Sequence, residues 1–347
     1  MSEWKEYKLG EIVAFGNGKE RPKAKGHIPV YGGNGILDYT NEYNYDGETV
    51  IIGRVGAYCG SVYYADYPIW VSDNALAVKA KENNSPKFLY YFLRNLKLND
   101  FAEGSSHPLV TQRLLNSIDV RFPNDVIEQK TIASILSSLD DKIDLLHREN
   151  ATLEQMAETL FRQWFVVEAK EEWEEVALED VAILNAGGDK PKAFSQNRTN
   201  EFNVPIYSNG IENDGLYGYA DCPRIIEESI TISARGTIGY VALRTEPFVP
   251  IVRLITMRPK EMVTSKFLYY WAKSQNINGT GTTQQQLTVP DFKQTKLFLP
   301  TKELIVSFTH LVNRYFDKIL LNNKQIQTLI QTRDGLLPKL MSNEINI

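Results

Sequence analysis

Cysteine is nearly absent from this chain, with two in 347 residues. Cys59 and Cys222 are far apart and lack C-x-x-C spacing, which leaves no disulfide framework and reads as reduced thiols in a cytoplasmic protein. Four scattered histidines form no cluster with metal-ligand spacing, so no metal site is expected. No apolar run approaches the ~18 residues of a membrane span. The opening MSEWKEYKLGE is charged and carries no apolar h-region, so no signal peptide is expected. A GxxxxGKS/T phosphate loop, a GxSxG elbow and an HExxH zinc motif are all missing, and with them the signs of an ATPase, a serine hydrolase or a metalloprotease. There is also no aromatic-rich NPPY-type stretch and no glycine-rich loop for a methyl-transfer cofactor.

Net positive charge is lacking too. The total is −5, which at first argues against a nucleic-acid partner. The charge is uneven, however. Between Asp125 and Asp180 there are 15 acidic residues against 5 lysines and arginines, a local −10 that leaves +5 for the rest. Distribution matters more than the total for a DNA footprint.

What is present is present twice. KFLYY at Lys87–Tyr91 recurs at Lys266–Tyr270. Around it, EWKEYKLGEI returns as EWEEVALEDV, ERPKA as DKPKA, IPVYGGNGI as VPIYSNGI, and IIGRVGAYCGSV as TISARGTIGYV. GSSHPLVTQ faces GTGTTQQQL, VRFP returns as LFLP, and DKI (Asp141–Ile143) as DKI (Asp317–Ile319). The order is kept throughout, so the chain is a tandem duplication with a period of about 177 residues.

Each copy begins with short β-branched runs between Gly/Asn/Asp turns, followed by one amphipathic helix at KFLYY, which is the pattern of a compact α+β domain. Each copy ends in a long helix. In the first, Ile132, Leu136, Leu139, Ile143, Leu146, Asn150 and Leu153 step by fours and threes. In the second, Phe308, Val312, Tyr315, Ile319, Asn322, Ile326 and Leu329 do the same, with Arg333 as one charged intruder. That spacing is a heptad seam. Forty residues at ~1.5 Å each make a rod of about 60 Å. The link from Phe165 to Glu172 is too short to return along such a rod, so the two helices are expected to pack as an antiparallel coiled coil. Asn150 in the seam reads equally as a register-setting residue or as one tolerated at a partly open site. The expected fold class is α+β: two α/β domains, 1–124 and 169–300, alternating with two helical regions, 125–168 and 301–347.

Twofold domains on a rod match the symmetry of duplex DNA. Lys19, Arg21, Lys23 and Lys25 crowd one loop, and Lys190, Lys192, Asn197 and Arg198 crowd its counterpart. Such residues neutralise phosphates, and Arg, Asn and Gln also read base edges. Asn34 and Asn209 lie in paired turns, and Arg54 and Arg235 lie among glycines that permit close backbone approach. Ser106, His107, Gln112 and Arg113 in one polar loop, and Thr280, Thr282, Thr283, Gln284, Gln285 and Gln286 in the other, have base-reading chemistry. The plainer reading of each tract is a solvated loop. Trp4, Trp173 and the KFLYY aromatics read as core. Glu128-Gln129-Lys130 has the E-x-K form of a nuclease fragment, but it opens the heptad helix and its Lys is missing from the second copy.

The pattern resembles the specificity subunit of type I restriction–modification systems. The resemblance rests on Trp4–Ile12 and Trp173–Val181, which open each copy, and on PNDVIEQKTIA (Pro123–Ala133) followed by SSLDDKI. The second copy, PTKELIVSF, lacks the Glu-Gln pair of Glu128 and Gln129. The resemblance implies target recognition domains that each read half of a bipartite, asymmetric site in double-stranded DNA, with the helices setting the gap. It implies two methyltransferase (modification) subunits bound to the helical regions, with Glu128 and Gln129 among the candidate partner-contact residues, and translocating restriction subunits in the full complex. S-adenosylmethionine, ATP and Mg²⁺ would belong to those partners, with no cofactor and no catalysis in this chain. An orphan or methyltransferase-only version, a stand-alone enzyme and a non-catalytic coiled-coil scaffold are the alternatives.

Overall fold

The computed structural model describes residues 4–104, 108–277 and 286–345. It divides into two compact units, Met1–Leu146 with Asn323–Ile347, and His147–Asn322. Each unit therefore holds one globular domain with a stretch of each long helix.

The first unit runs β1 (Trp4–Lys8), α1 (Leu9–Ile12), β2 (Val13–Asn17), β3 (Ile28–Gly32), β4 (Gly35–Thr40), β5 (Thr49–Gly53), β6 (Val62–Ala65), β7 (Trp70–Val71), β8 (Ala75–Ala80), α2 (Pro86–Asn95), α3 (Gln112–Ser117), β9 (Asp119–Pro123) and the start of α4 (Val126–Arg162). Three sheets form, in the orders β2-β8-β5-β6, β4-β3-β7 and β1-β9. The second unit runs β10 (Glu174–Ala177), α5 (Leu178–Val181), β11 (Ala182–Ala186), β12 (Val204–Tyr207), β13 (Leu216–Ala220), β14 (Ser229–Ile232), β15 (Val241–Arg244), β16 (Val249–Pro250), β17 (Ile255–Pro259), α6 (Ser265–Ser274), α7 (Val289–Lys293), β18 (Lys296–Leu299) and the start of α8 (Lys302–Met341). Its sheets are β11-β17-β14-β15, β13-β12-β16 and β10-β18. Strand for strand this is the first unit again, so the duplication read in the sequence is a duplication of topology.

The repeated KFLYY forms α2 and α6. Ser85 Oγ caps α2 by accepting the Phe88 N–H at 3.3 Å, with Pro86 in the first turn. Thr264 Oγ1 caps α6 in the same way at 3.2 Å. Such caps are worth about 1 kcal/mol each. The buried face of α2 is Phe88, Leu89, Tyr91, Phe92 and Leu93. Phe88 and Phe92 meet Phe122 of β9 edge-on at 5.4 and 5.2 Å, and Trp4 joins from β1 at 6.5 Å from Phe88. In the second unit Phe161, Phe165, Phe267 and Phe308 cluster instead, with Phe165–Phe308 at 5.2 Å. Trp4 and Trp173 are both buried in these cores.

Within each unit the two long helices run antiparallel. In the first, Ile132 and Leu136 share a core with Leu337 and Leu340, while Ile143 and Leu146 pack against Ile326 with Leu329. In the second, Phe161 and Trp164 lie against Phe308, and Asn150 meets Asn322. Every seam residue read from the spacing is buried or half-buried: Leu139, Leu153, Val312, Tyr315 and Ile319 belong with those just named. Asn150 takes part in a polar layer, since the fully buried Asn322 donates to its Oδ1 at 2.8 Å and to Glu149 Oε2 at 3.0 Å. The charged intruder Arg333 is accommodated by Asp140, 2.7 Å away.

One expectation is corrected. Gln129, assigned by the resemblance to partner contact, is fully buried in the first unit. Its Oε1 accepts the Ser85 N–H at 2.8 Å, and its Nε2 donates to Asn84 and to the Pro123 carbonyl. Its neighbour Glu128 accepts the Trp4 indole N–H at 3.1 Å. The pair joins helix to domain because a buried amide must find its partners nearby.

Candidate nucleic-acid interface

One end of each domain gathers five loops. In the first unit, Gly18 and Lys19 follow β2 and bond to Ala75 O and Val71 O. The tight Gly33-Asn34 turn joins β3 to β4. Arg54 and Val55 follow β5, Asp73 and Asn74 precede β8, and Leu109–Gln112 lead into α3. Their backbones interlock: Arg54 N–H donates to Asn74 O at 2.9 Å and Val110 N–H to Arg54 O at 2.9 Å. Gln112 Nε2 reaches Asn17 Oδ1 at 2.8 Å. Gly53 is required here, because a Cβ would sit 2.5 Å from Tyr58 O and 2.6 Å from Gly33 O. Lys19, Asn34, Arg54 and Gln112, scattered in sequence, thus come to one surface. Arg54 is half-buried, and its Nε is buried without a hydrogen-bond partner. That state costs about 1–3 kcal/mol unless a ligand supplies an acceptor.

The second unit repeats the frame and changes the side chains. Leu287 N–H donates to Ala234 O at 3.0 Å as Val110 does to Arg54, and Gly239 N–H to Ser233 O at 2.9 Å as Gly60 does to Gly53. Ala234 is therefore the counterpart of Arg54, and Arg235 that of Val55. The two arginines, quoted as a pair from the sequence, are one position out of register. The two asparagines are out of register as well. Ser208 N–H bonds to Gly215 O where β3 closes directly on Gly35, so Asn209 follows the position of Gly32 and opens a longer loop, 209–214. Both ends of the Asn209 amide are committed: Nδ2 donates to Val252 O at 2.8 Å, and Oδ1 accepts from Ala234 N at 2.7 Å. It holds the loops together rather than facing a ligand.

The longer loop is fixed by Arg244, which is buried at 6% exposure. Its guanidinium stacks 3.7 Å from the centre of the Tyr207 ring and donates to Asp214 O at 2.6 Å and Thr231 Oγ1 at 3.0 Å. Burial pulls the pKa of Arg244 down, and the neighbouring Tyr207, Asp214 and Tyr240 pull it back up. Tyr240, bonded to Asp214, is pushed up to about 12 chiefly by burial. Asp214, Tyr240 and Arg244 line a cleft of about 500 Å³ with Tyr269 and Lys273.

Beyond Lys19, the basic tracts run along the outer strands, β4 and β13, of the three-stranded sheets. Arg21 pairs with Asp38 of β4 at 3.7 Å, and Lys23 and Lys25 are exposed. Lys190 lies over Phe194 at 4.5 Å and donates to Tyr217 of β13, Arg198 pairs with Glu246 at 3.9 Å, and Lys192 and Asn197 are exposed. Arg113 is exposed on α3. Ser106, His107, Thr280, Thr282, Thr283, Gln284 and Gln285 lie outside the described residues. Two residues were missed: Asn74 and its counterpart Arg253, at the turn before β8 and β17. Arg253 and Val252 both take left-handed backbones, with φ of 60° and 52°, a strain that marks an imposed turn. The short buried runs IWVS and FVPI that end there were the available signal.

Among the described residues no group of three or more His, Cys, Asp or Glu side chains could hold a metal ion, and no helix is long and apolar enough to cross a membrane. Two tandem α+β domains, each joined to its stretch of an antiparallel helix pair, define a duplicated two-domain protein. The chain belongs to the type I restriction modification DNA specificity domain family, whose model matches residues 1–155 and again 170–331. It is 31% identical over 312 residues to the putative type I specificity subunit S.MpnORF507P of Mycoplasma pneumoniae, covering 85% of this chain and 84% of that one. It is 25% identical over 327 residues to the MjaIX specificity subunit of Methanocaldococcus jannaschii, covering 83% and 76%. The crystal structure of the type I S subunit from M. genitalium shares the fold, with a TM-score of 0.66 at 18% identity over 98% of this chain and 96% of that one.

Proposed function

We propose that this chain is the non-catalytic specificity subunit of a type I restriction–modification enzyme, and that each domain reads one half of a bipartite DNA site through its five-loop end. The observation that carries the reading is one backbone frame built twice with different side chains at matching positions. A shared frame supports docking on the same duplex geometry, and different side chains support different base sequences. Arg54, Asn34, Lys19 and Gln112 face the first half-site, with Asn74. Arg235 faces the second, with Arg253 and Gln286. The lysine tracts along the sheet edges serve phosphates. The heptad helices bind two modification subunits, and their length sets the unread gap. S-adenosylmethionine, ATP and Mg²⁺ act on the partner subunits, in the cytoplasm.

The test is to co-express the chain with a type I modification subunit and map methylated adenines across the genome. The expected result is one bipartite motif with a fixed gap. A continuous motif, or a stable complex that methylates nothing, contradicts it.

A further inference from the structure

The geometry points to the Arg235–Gln286 pair as a preorganised reader of a guanine in the second half-site. This rests on the reading above, that the five-loop end meets duplex DNA, and names what one position there recognises.

The backbone before Arg235 is pinned twice. Ala234 N–H donates to Asn209 Oδ1 at 2.7 Å, and Ala234 O accepts from Leu287 N at 3.0 Å. Gly236 then turns the chain with φ of +70°, where an added Cβ would meet open space. The exposed Arg235 side chain is fixed by a third loop. Gln286 Oε1 accepts from its Nε at 3.1 Å and from its Nη2 at 2.8 Å. That occupies the side edge of the guanidinium. The end edge, Nη1 with the second hydrogen of Nη2, has no partner among the described residues. Two parallel N–H groups in a plane match the O6 and N7 acceptors that guanine shows in the major groove. The buttress is an amide, not a carboxylate, so it orients the fork without neutralising it, and the full charge is left for DNA. A lysine serves a phosphate as a point charge in any orientation. A planar fork held by its edge is committed to a planar target.

The first domain shows what the position does without the fork. Val55 and Leu109 stand there, paired as a β-bridge on the same frame. They carry no side-chain donor, and the base feature an apolar pair meets is a thymine methyl. The two half-sites therefore differ at this place.

The test uses the complex of this chain with a type I modification subunit, methylating a panel of duplexes that vary every base of the site. Wild type is expected to require guanine at one position of the second half-site. Arg235→Ala is expected to lower discrimination there by about 5- to 150-fold, the range for one bidentate contact, and to leave the first half-site unchanged. Arg235→Lys keeps the charge without the fork, so it should keep binding and lose discrimination. Gln286→Ala should lose part of the discrimination, and Gln286→Glu, which retains the acceptor but neutralises the fork, should keep the discrimination and weaken binding. Loss of binding to all sequences alike in Arg235→Ala, with the salt slope reduced by about one, would make Arg235 a phosphate contact and overturn the inference. An unchanged motif, or a wild-type second half-site without guanine, would also overturn it. A wild-type complex with no bipartite motif would instead bring down the reading on which it rests.

Discussion

The helix pair is apolar in the first unit where it is polar in the second. In the first, Ile143 and Leu146 meet Ile326, Leu329 and Ile330. By the repeat, their counterparts in the second are Ile319, Asn322, Asn150, Leu153 and Glu154. There the buried Asn322 donates to Asn150 and Glu149 while its Oδ1 finds no partner. In the neighbouring layer the pattern reverses. The first unit has Asp140 between Arg333, at 2.7 Å, and the Tyr91 hydroxyl, also at 2.7 Å. The second has Phe316 in place of Asp140, Ala157 in place of Arg333, and Tyr270 with Phe316 in ring contact at 6.3 Å. Each unit thus carries one polar layer and one apolar layer, in opposite order. Polar layers cost stability and specify register, since a shifted pairing would leave their groups unpaired against apolar neighbours. Divergence of the duplicated helices has made the two packings non-interchangeable.

The largest effect that would break this comparison is in the aromatic unit. Phe308 touches Phe161, Phe165 and Tyr270 and is fully buried. Phe308→Ala should cost about 3–5 kcal/mol, read by urea unfolding. A loss under about 1 kcal/mol would mean the site collapses freely and the cluster is not the core it resembles. Next is Asp140→Ala, which takes one of two carboxylates from Arg333, leaving it Asp334 at 2.7 Å, and leaves the Tyr91 hydroxyl without its acceptor. Losing these charge-assisted bonds costs about 1.5–3 kcal/mol. The double variant Asp140→Phe with Arg333→Ala, which installs the second unit's residues, should recover most of that. If the double is as unstable as the single, the layers are not equivalent.

In the opposite direction, Asn150→Ile with Asn322→Leu transplants the apolar layer into the second unit. It removes a buried unsatisfied oxygen and should stabilise by about 1–3 kcal/mol. Register would then be less strictly set, so the gap of the methylated motif should broaden. A stable variant with one sharp gap would deny the asparagines a register role. The smallest effect is with pH. Tyr269, like Tyr240, is raised from 10.0 to about 12, chiefly by burial. Both are neutral in folded and unfolded chains below pH 10. Between about pH 10 and 12 only the unfolded chain ionises them, so stability falls as pH rises through that window. Tyr269→Phe should flatten part of the fall in melting temperature; an unchanged slope would remove Tyr269 from the cause.

Much of this was legible in the sequence because it is carried by periodicity and order. KFLYY, the heptad steps and the repeated landmarks depend on spacing, and spacing survives divergence. The loop correspondences did not survive. Arg54 and Arg235 align by eye through their glycines, yet the backbone sets them one position apart. The β5–β6 turn is one residue shorter in the second copy, and only hydrogen bonds show where the gap falls. Asn209 read as a base contact because an amide in a turn has that chemistry, but its amide is spent on Val252 and Ala234. Arg244 stands in GYVALRT, which by itself has only the pattern of an ordinary strand. Its burial depends on the Tyr207 ring and on the longer β12–β13 loop, neither of which its own neighbours in sequence reveal. Gln129 gives no sign of burial in the sequence, because nothing local marks an amide that will bond to the Ser85 backbone.

The central claim, that two independent readers share one frame, is tested most directly by exchange. Residues 174–299 would be replaced by the matching domain of a relative whose motif is known, and the methylated motif of the hybrid complex mapped. The account predicts that the second half-site becomes the relative's while the first half-site is kept. Change in both half-sites, or in neither, would contradict it.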